Sequence, residues 1–173
     1  AMPPGDVLDL GAGEGRNAHW LAEQGWRVTA VDISQVALET LRQESWGEGW
    51  DITTIHADLR DWTPPERQFD LVLLSFVQLE QPHRGRLHRE AAAAVRPGGS
   101  LVLVAHARRN LEEGTGGPQD PNLLPSRTEV EEELSDLVID RCEVIERPVD
   151  GAERPALDLV AVAHRPEDDR TDT

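Results

Sequence analysis

The feature that most constrains this chain is an apolar run, DVLDL at residues 6–10, that leads directly into the glycine-rich turn GAGEGRN at residues 11–17. Glycines at alternate positions let the backbone adopt positive φ and let a ligand approach with no Cβ in the way. Between a strand and a helix, such a turn presents main-chain N–H groups to a ligand that carries charge or hydroxyls. We therefore interpret the rest of the chain as the frame and wall of a pocket around this turn.

The spacing of the glycines distinguishes two classes of ligand-binding turn. The dinucleotide fingerprint G-x-G-x-x-G needs a glycine at position 16 for close helix packing, and this chain has Arg16 there. What stands instead is Asp9 inside the strand, followed by Gly11, Gly13 and Gly15. That pattern resembles the first motif of the class I S-adenosylmethionine-dependent methyltransferases. An NAD-dependent oxidoreductase is the less favoured alternative.

Segments with strand and helix periodicity alternate along most of the chain. Strands are predicted at residues 6–10, 27–31, 51–56, 69–75, 101–105, 140–146 and 156–163, and helices at 17–24, 35–44, 82–95 and from 126 onward. A tight turn is predicted at residues 96–99. The alternation predicts an α/β fold with a doubly wound, mostly parallel seven-stranded sheet and an antiparallel edge strand. We expect a single domain at residues 1–164, followed by a flexible charged tail at residues 165–173.

Three further segments carry a narrower resemblance. GEGRN at residues 13–17, VTAVD at residues 28–32 and the stretch from GGP at residues 116–118 to Leu124 are similar to the small methyltransferases of the tellurite-resistance group. The resemblance implies a Rossmann-like methyltransferase fold, with S-adenosyl-L-methionine as cofactor and S-adenosyl-L-homocysteine as product. Members of that family usually carry a helical segment before strand one that helps to cover the cofactor. Here the first strand begins almost at once, so we expect either that this segment has been trimmed from the sequence or that the pocket is open on that side.

The motifs of this family fall at the carboxyl ends of the first four predicted strands, which meet at one edge of a doubly wound sheet. The resemblance implies that Asp32 accepts from both ribose hydroxyls, that Asp58 accepts from the adenine amino group and that Ser75 begins a floor near the methionine chain. The implied cofactor-binding residues are Asp9, Gly11, Ala12, Gly13, Gly15, Asn17, Asp32, Ile33, Asp58, Leu59, Ser75, Phe76 and Val77.

The chemistry that such a pocket would host leaves the acceptor open. Methyl transfer from a sulfonium is an in-line displacement in which alignment supplies much of the rate, so a dedicated acid or base is not obligatory. A thiolate or a metalloid oxyanion is already nucleophilic, whereas a hydroxyl or an amine needs a base within reach. His106, just past the fifth strand, is the first candidate for that catalytic role, followed by His83, His19 and Glu80. The alternative is a module that binds the cofactor without transferring methyl groups.

The charge of the chain bears on its partners. Seventeen basic residues, all arginine, face 33 acidic residues and give a net charge of -16, which disfavours binding to nucleic-acid phosphates. The sequence has no run of about 18 apolar residues that would span a membrane. The single cysteine, Cys142, fits a reducing compartment, and no histidines and carboxylates show metal-ligand spacing. We therefore expect a cytoplasmic protein that acts on a small molecule, with no metal, membrane or nucleic-acid partner.

Overall fold

The computed structural model describes residues 2–168, which form a seven-stranded sheet with helices packed against it. The strands are β1 (Asp6–Leu10), β2 (Arg27–Asp32), β3 (Ile52–His56), β4 (Phe69–Ser75), β5 (Val95–His106), β6 (Val138–Arg147) and β7 (Ala156–His164). The helices are α1 (Arg16–Glu23), α2 (Gln35–Ser45), α3 (His83–Ala94), α4 (Asn110–Glu113) and α5 (Arg127–Glu133). A short 3-10 helix, Pro121–Leu123, lies between α4 and α5.

The strand order across the sheet is β3-β2-β1-β4-β5-β7-β6. Strands β1 to β5 are parallel, whereas β7 pairs antiparallel with both β5 and β6. The prediction of a mostly parallel, doubly wound sheet with an antiparallel element at one edge is therefore confirmed. The chain direction across the sheet reverses between β1 and β4, and ligands of such folds bind at that point.

Two apolar cores cover the two faces of the sheet. Val7 packs in one core with residues of α1 and α2, whereas Leu8 packs in the other with residues of α3 and α5. Successive side chains of a strand point to opposite faces, so a parallel strand that is covered on both sides must be apolar throughout. β1 contains two acidic residues, Asp6 and Asp9, and of these only Asp9 is fully buried.

The turn predicted at residues 96–99 is wrong, because this stretch belongs to β5. Val95 pairs with Phe69 and Ser100 pairs with Leu71, so the segment between them bulges while pairing continues on both sides. Gly98 takes φ 76° within the bulge. Hydrogen bonds between residues 98–99 and the backbone of Arg165 keep this stretch in the sheet.

The first residues of the segment predicted as a tail, 165–168, are bonded to the domain. The Arg165 guanidinium donates to the carbonyl oxygens of Val95 and Ala92, at 2.8 and 2.9 Å. Asp168 accepts from Arg67 at 2.6 Å. These bonds anchor residues 165–168 to the domain, and the remainder of the predicted tail lies outside the described residues. Among residues 2–168, no helix is both long and apolar enough to cross a membrane.

Candidate active site

A cleft of about 610 Å³ opens at the carboxyl ends of β1, β2 and β4. This volume lies within the range of pockets that hold small molecules. The cleft brings together seven of the residues predicted to bind the cofactor, and six more residues complete its wall. Its wall is formed by Gly11, Asp32, Ile33, Asp58, Leu59, Arg60, Phe76, Val77, Gln78, Leu79, Glu80, His83 and Leu123.

The glycine turn is held close to the wall by hydrogen bonds to β2. The N–H groups of Gly11 and Ala12 both donate to the carbonyl oxygen of Val31, at 2.8 and 3.1 Å. A Cβ at Gly11 would meet Val77 at 2.7 Å, whereas a Cβ at Gly13 would meet nothing within 4 Å. Both glycines have positive φ. The turn therefore needs glycine for its conformation and leaves the space above Gly13 open to a ligand.

The remaining residues of the turn lie behind the wall of the cleft. Gly15 is buried with φ 87°, and a Cβ there would come within 2.2 Å of the Leu41 side chain. This glycine thus lets α1 pack against α2, which is the packing role that the dinucleotide fingerprint gives to its third glycine. Ala12 packs on the same core, and Asn17 lies in the first turn of α1. Ser75 ends β4 next to the cleft without lining it.

Asp32, the last residue of β2, presents a partly satisfied carboxylate to the cleft. One of its oxygens accepts from the N–H of Gly13 and the other from the N–H of Ser34, both at 2.8 Å. A carboxylate has about four lone-pair sites, so two remain for a ligand. A vicinal diol offers two hydroxyl donors, which is the complement that this side chain needs.

Asp9 is buried beside the turn with no partner. Neither of its carboxylate oxygens makes a hydrogen bond to another residue of the described chain. Burial, with a smaller contribution from the negative charge of Asp32, raises the pKa of Asp9 to about 7. A buried carboxylate without a partner is costly, and a cationic ligand bound nearby would lower that cost.

Asp58 carries a partner that the sequence did not reveal. The Arg60 side chain binds its carboxylate at 2.6 to 3.1 Å, and the Arg60 N–H donates to it at 2.9 Å. The side-chain hydrogen bond and then the backbone hydrogen bond from Arg60 lower the pKa of Asp58 to about 2. Asp58 is therefore ionised at neutral pH. Three N–H groups of Arg60 already donate to its oxygens, so about one of its four lone-pair sites remains for a ligand at the cleft wall.

The four candidate bases have different surroundings. Glu80 and His83 both line the cleft. His19 does not: its Nε2 lies 3.3 Å from the carbonyl oxygen of Leu41, and its ring packs against Trp50 between α1 and α2. The expectation that His19 could serve as a base is therefore wrong.

His106, the last residue of β5, lies beside Phe76 of the cleft wall, with ring centroids 4.9 Å apart. Its Nδ1 lies 3.0 Å from a carboxylate oxygen of Asp158, which is 2% exposed. The other oxygen of Asp158 accepts from the Nε of Arg147 at 2.6 Å. The sequence did not single out Asp158, although a lone acidic residue in an apolar strand signals a partner.

The segment at residues 114–125 folds over this region through buried polar anchors. Asn110 is 3% exposed, donates to the carbonyl oxygen of Gly116 at 2.8 Å and accepts from the N–H of Leu157 at 2.7 Å. Arg84 is 2% exposed and donates to the carbonyl oxygen of Asn122. These bonds place Leu123 in the cleft wall, and neither anchor was evident in the sequence.

The comparison with known proteins gives the family of this chain. Residues 7–99, more than half of the 173 residues, match the family described as methyltransferase domain. The chain belongs to the S-adenosylmethionine-dependent methyltransferases of class I. S-adenosylmethionine is the cofactor of this family, and the glycine turn and Asp32 of this methyltransferase domain lie within the matched residues.

Two curated relatives each match more than half of the methyltransferase. Cypemycin N-terminal methyltransferase from Streptomyces sp is 38% identical over 101 residues, which are 56% of this chain and 40% of that protein. Sarcosine/dimethylglycine N-methyltransferase from Halorhodospira halochloris is 36% identical over 105 residues, which are 59% of this chain and 38% of that protein. The methyltransferase chain thus spans about two fifths of the length of these relatives.

Solved structures extend the likeness to nearly all of the methyltransferase. An S-adenosylmethionine-dependent methyltransferase from Mesorhizobium loti has a TM-score of 0.77 and 25% identity, with 95% of this chain and 93% of that chain covered. TehB from Haemophilus influenzae has a TM-score of 0.78 and 20% identity, with 95% and 58% covered. The second likeness is one of fold alone.

Proposed function

We propose that this chain transfers a methyl group from S-adenosylmethionine to a small-molecule acceptor. The proposal rests on one observation: at the cleft, the glycine turn contacts the Asp32 carboxylate, which accepts from the N–H of Gly13. When bound, the cofactor supplies an electrophilic methyl group on a sulfonium and leaves as S-adenosylhomocysteine. Residues 1–164 would form the single domain that does this work.

The residues of the cleft fit the parts of such a ligand. Asp32 has two free lone pairs for the ribose hydroxyls, and the open space above Gly13 admits the ligand to the main chain. Asp58, held ionised by Arg60, would accept from the adenine amino group beside Leu59 and Ile33. Asp9 would offset the positive charge of the bound cofactor, because its buried carboxylate has no other partner among residues 2–168.

The charges of the wall favour an acceptor without negative charge. Asp32, Asp58 and Glu80 are acidic, and the Arg60 guanidinium is already bound to Asp58. An oxyanion would therefore meet more repulsion than attraction in the cleft. One of the curated relatives described above, the sarcosine/dimethylglycine N-methyltransferase, is named for methyl transfer to nitrogen, so a nitrogen nucleophile has precedent among related proteins.

The direct test is transfer of an isotope-labelled methyl group from S-adenosylmethionine to a panel of a phenol, an amine, a thiol and selenite. We expect methylated product from at least one uncharged acceptor. Binding of S-adenosylhomocysteine without product from any acceptor would favour a cofactor-binding module, and absence of both binding and product would reject the proposed function. The buried Cys142 is in keeping with a reducing compartment, and we propose a cytoplasmic location.

A further inference from the structure

Three charged or titratable side chains from three strands meet beside the cleft. His106 ends β5, Asp158 lies in β7 and Arg147 ends β6. His106 and Asp158 are direct partners in the antiparallel register of β5 and β7. Asp158 is 2% exposed and lies between its two neighbours, 3.0 Å from Nδ1 of His106 and 2.6 Å from Nε of Arg147. These three side chains, which we call the β-hairpin triad, are joined by paired strands on a rigid part of the fold.

The geometry of the β-hairpin triad determines which nitrogen of His106 can accept a proton. A carboxylate only accepts hydrogen bonds, so the nitrogen that faces Asp158 must carry the hydrogen. Nε2 of His106 makes no hydrogen bond to any other residue in the described part of the chain. Arg147 balances the charge of the buried carboxylate and lies over the Phe76 ring, 5.7 Å from its centroid. The neutral imidazole is therefore arranged as a proton acceptor at Nε2.

The position of the imidazole is fixed from two further sides. Phe76 has φ 56°, an uncommon conformation for a residue with a Cβ, and its ring lies against the imidazole. Gly117 has φ 74°, and a Cβ there would come within 3.0 Å of the His106 ring. The charged groups that face His106 are thus Asp158 directly and Arg147 through it, while Phe76 and Gly117 contribute uncharged contacts.

We propose that Asp158 is a positioning residue that makes His106 the general base, and that the acceptor is a phenol. The proposal rests on the proposed function above. In the reaction the phenol oxygen forms a bond to the methyl carbon, the carbon–sulfur bond breaks with its electron pair passing to sulfur, and the phenol proton passes to Nε2 of His106. The positive charge lost by the sulfonium is carried afterwards by the imidazolium, which Asp158 stabilises.

The wall next to His106 suits a phenol. Phe76 offers an aromatic face, and Val77, Leu79 and Leu123 make the neighbouring wall apolar. A phenolic hydroxyl has a pKa near 10, so it is un-ionised at neutral pH and needs a base to react. A base contributes about 10²- to 10⁴-fold to such a step. An acceptor that is already ionised has no proton to lose, so its reaction would not use the β-hairpin triad as a base.

The experiment compares the wild type with Asp158→Asn and His106→Gln on unsubstituted phenol and on 4-nitrophenol at a pH where only the second is ionised. The matched control is Asp140→Asn, because Asp140 of β6 forms a similar pair, at 2.9 Å, with His164 at the other end of β7. We expect both triad variants to lose about a hundredfold in kcat on phenol and less than about threefold on 4-nitrophenol. KM and the affinity for S-adenosylhomocysteine should change little, which also shows that the variants fold.

A second readout needs no acceptor. In ¹⁵N NMR of the wild type, His106 should carry its hydrogen on Nδ1, and Asp158→Asn should move it to Nε2, because an amide can donate to Nδ1. Equal losses on both phenols, or an unchanged tautomer in Asp158→Asn, would overturn the role of Asp158. Methylation of an amine or a thiol by a wild type that methylates no phenol would overturn the acceptor class. A wild type that transfers no methyl group and does not bind S-adenosylhomocysteine would instead reject the proposed function.

Discussion

Three aspartates around the cleft differ because their immediate neighbours differ. Asp9 is buried and has no hydrogen-bond partner among residues 2–168, and burial raises its pKa to about 7. Asp58 is bound by Arg60, whose hydrogen bonds lower the pKa of Asp58 to about 2. Asp32 accepts two backbone N–H groups and keeps two lone pairs. The same type of side chain thus behaves in three ways within one site. Asp9 has a raised pKa, Asp58 is an anion at neutral pH, and Asp32 can accept hydrogen bonds from a ligand.

The raised pKa of Asp9 predicts that Asp9→Asn gains stability relative to the wild type progressively as pH rises from about 4 to about 7. Below pH about 4 the carboxyl is protonated in both the folded and the unfolded chain. As pH rises to about 7, the unfolded chain gains stability by releasing a proton that the folded chain retains, so the wild type loses up to about 4 kcal/mol. The asparagine variant is spared this loss.

Urea unfolding of the wild type and of Asp9→Asn at pH 5 and pH 8 measures this difference. We expect the advantage of the variant to grow between the two pH values. Asp51→Asn serves as the control, because Asp51 is exposed and lies directly before β3. Its stability relative to the wild type should not change between the two pH values. Parallel pH profiles for Asp9→Asn and the wild type would contradict the assignment.

At the scale of elements, Asn110 joins three parts of the chain around the site. It begins α4, holds the carbonyl oxygen of Gly116 and accepts from the N–H of Leu157 in β7. Gly114 approaches it so closely that a Cβ there would lie within 1.9 Å of its side-chain oxygen. The first part of the segment that supplies Leu123 to the cleft is therefore anchored by this buried amide, as Arg84 anchors Asn122 further along.

We predict that Asn110→Ala lowers the free energy of unfolding by about 2 to 4 kcal/mol, because it removes two buried hydrogen bonds and leaves the Leu157 N–H unpaired. Hydrogen exchange at residues 114–118 should become faster in the same variant. Asn122→Ala is the matched control, because the Asn122 side chain is exposed and only its backbone is bonded to Asp120 and Arg84. Equal exchange and stability in the two variants would contradict the anchoring role.

The elements most fully predicted from the sequence are those set by local pattern. β1 and β4 have the predicted bounds, and the helix predicted from residue 126 onward is α5, which Ser126 caps. The sequence predicts a turn where β5 has a bulge, because Pro97 and Gly98 are typical of turns. Nothing in these residues indicates that the distant Arg165 pairs with this stretch. Local residues do not encode a partner about 65 positions away.

The residues of the site also divide into those predicted from local pattern and those that depend on distant pairing. Gly11, Asp32, Asp58 and Phe76 follow strand ends, and parallel strands bring such ends together. The pairing of His106 with Asp158 depends instead on the register of two antiparallel strands that are 52 positions apart. That register is set by packing in the assembled sheet, so the sequence could supply the histidine without its partner.

At the scale of the whole molecule, the net charge of -16 leads us to expect that binding to nucleic acid is disfavoured. Phosphate backbones attract proteins through Lys and Arg side chains, and this chain has a large excess of carboxylates. Moreover, many of its arginines are already engaged in ion pairs with Asp or Glu, among them Arg60, Arg84, Arg108 and Arg147. The molecule therefore presents a repulsive field to a nucleic acid.

We predict no complex between the protein and an RNA duplex in gel-shift titrations up to micromolar protein, even at low salt, where electrostatic attraction is greatest. An unlabelled basic RNA-binding domain in the same gels provides the positive control. A complex that weakens as salt rises would show that a local basic surface outweighs the net charge, and it would contradict the proposed small-molecule acceptor.

The central claim is that the cleft binds the cofactor family of these methyltransferases through the Asp32 carboxylate. Titration calorimetry with S-adenosylhomocysteine tests it directly, using the wild type, Asp32→Ala, Asp32→Asn and the exposed-site control Asp51→Ala. Two hydrogen bonds to a charged acceptor contribute about 3 kcal/mol or more, so we predict at least about a hundredfold weaker binding for Asp32→Ala, an intermediate loss for Asp32→Asn and wild-type affinity for the control. Wild-type affinity in a folded Asp32→Ala variant would contradict the account.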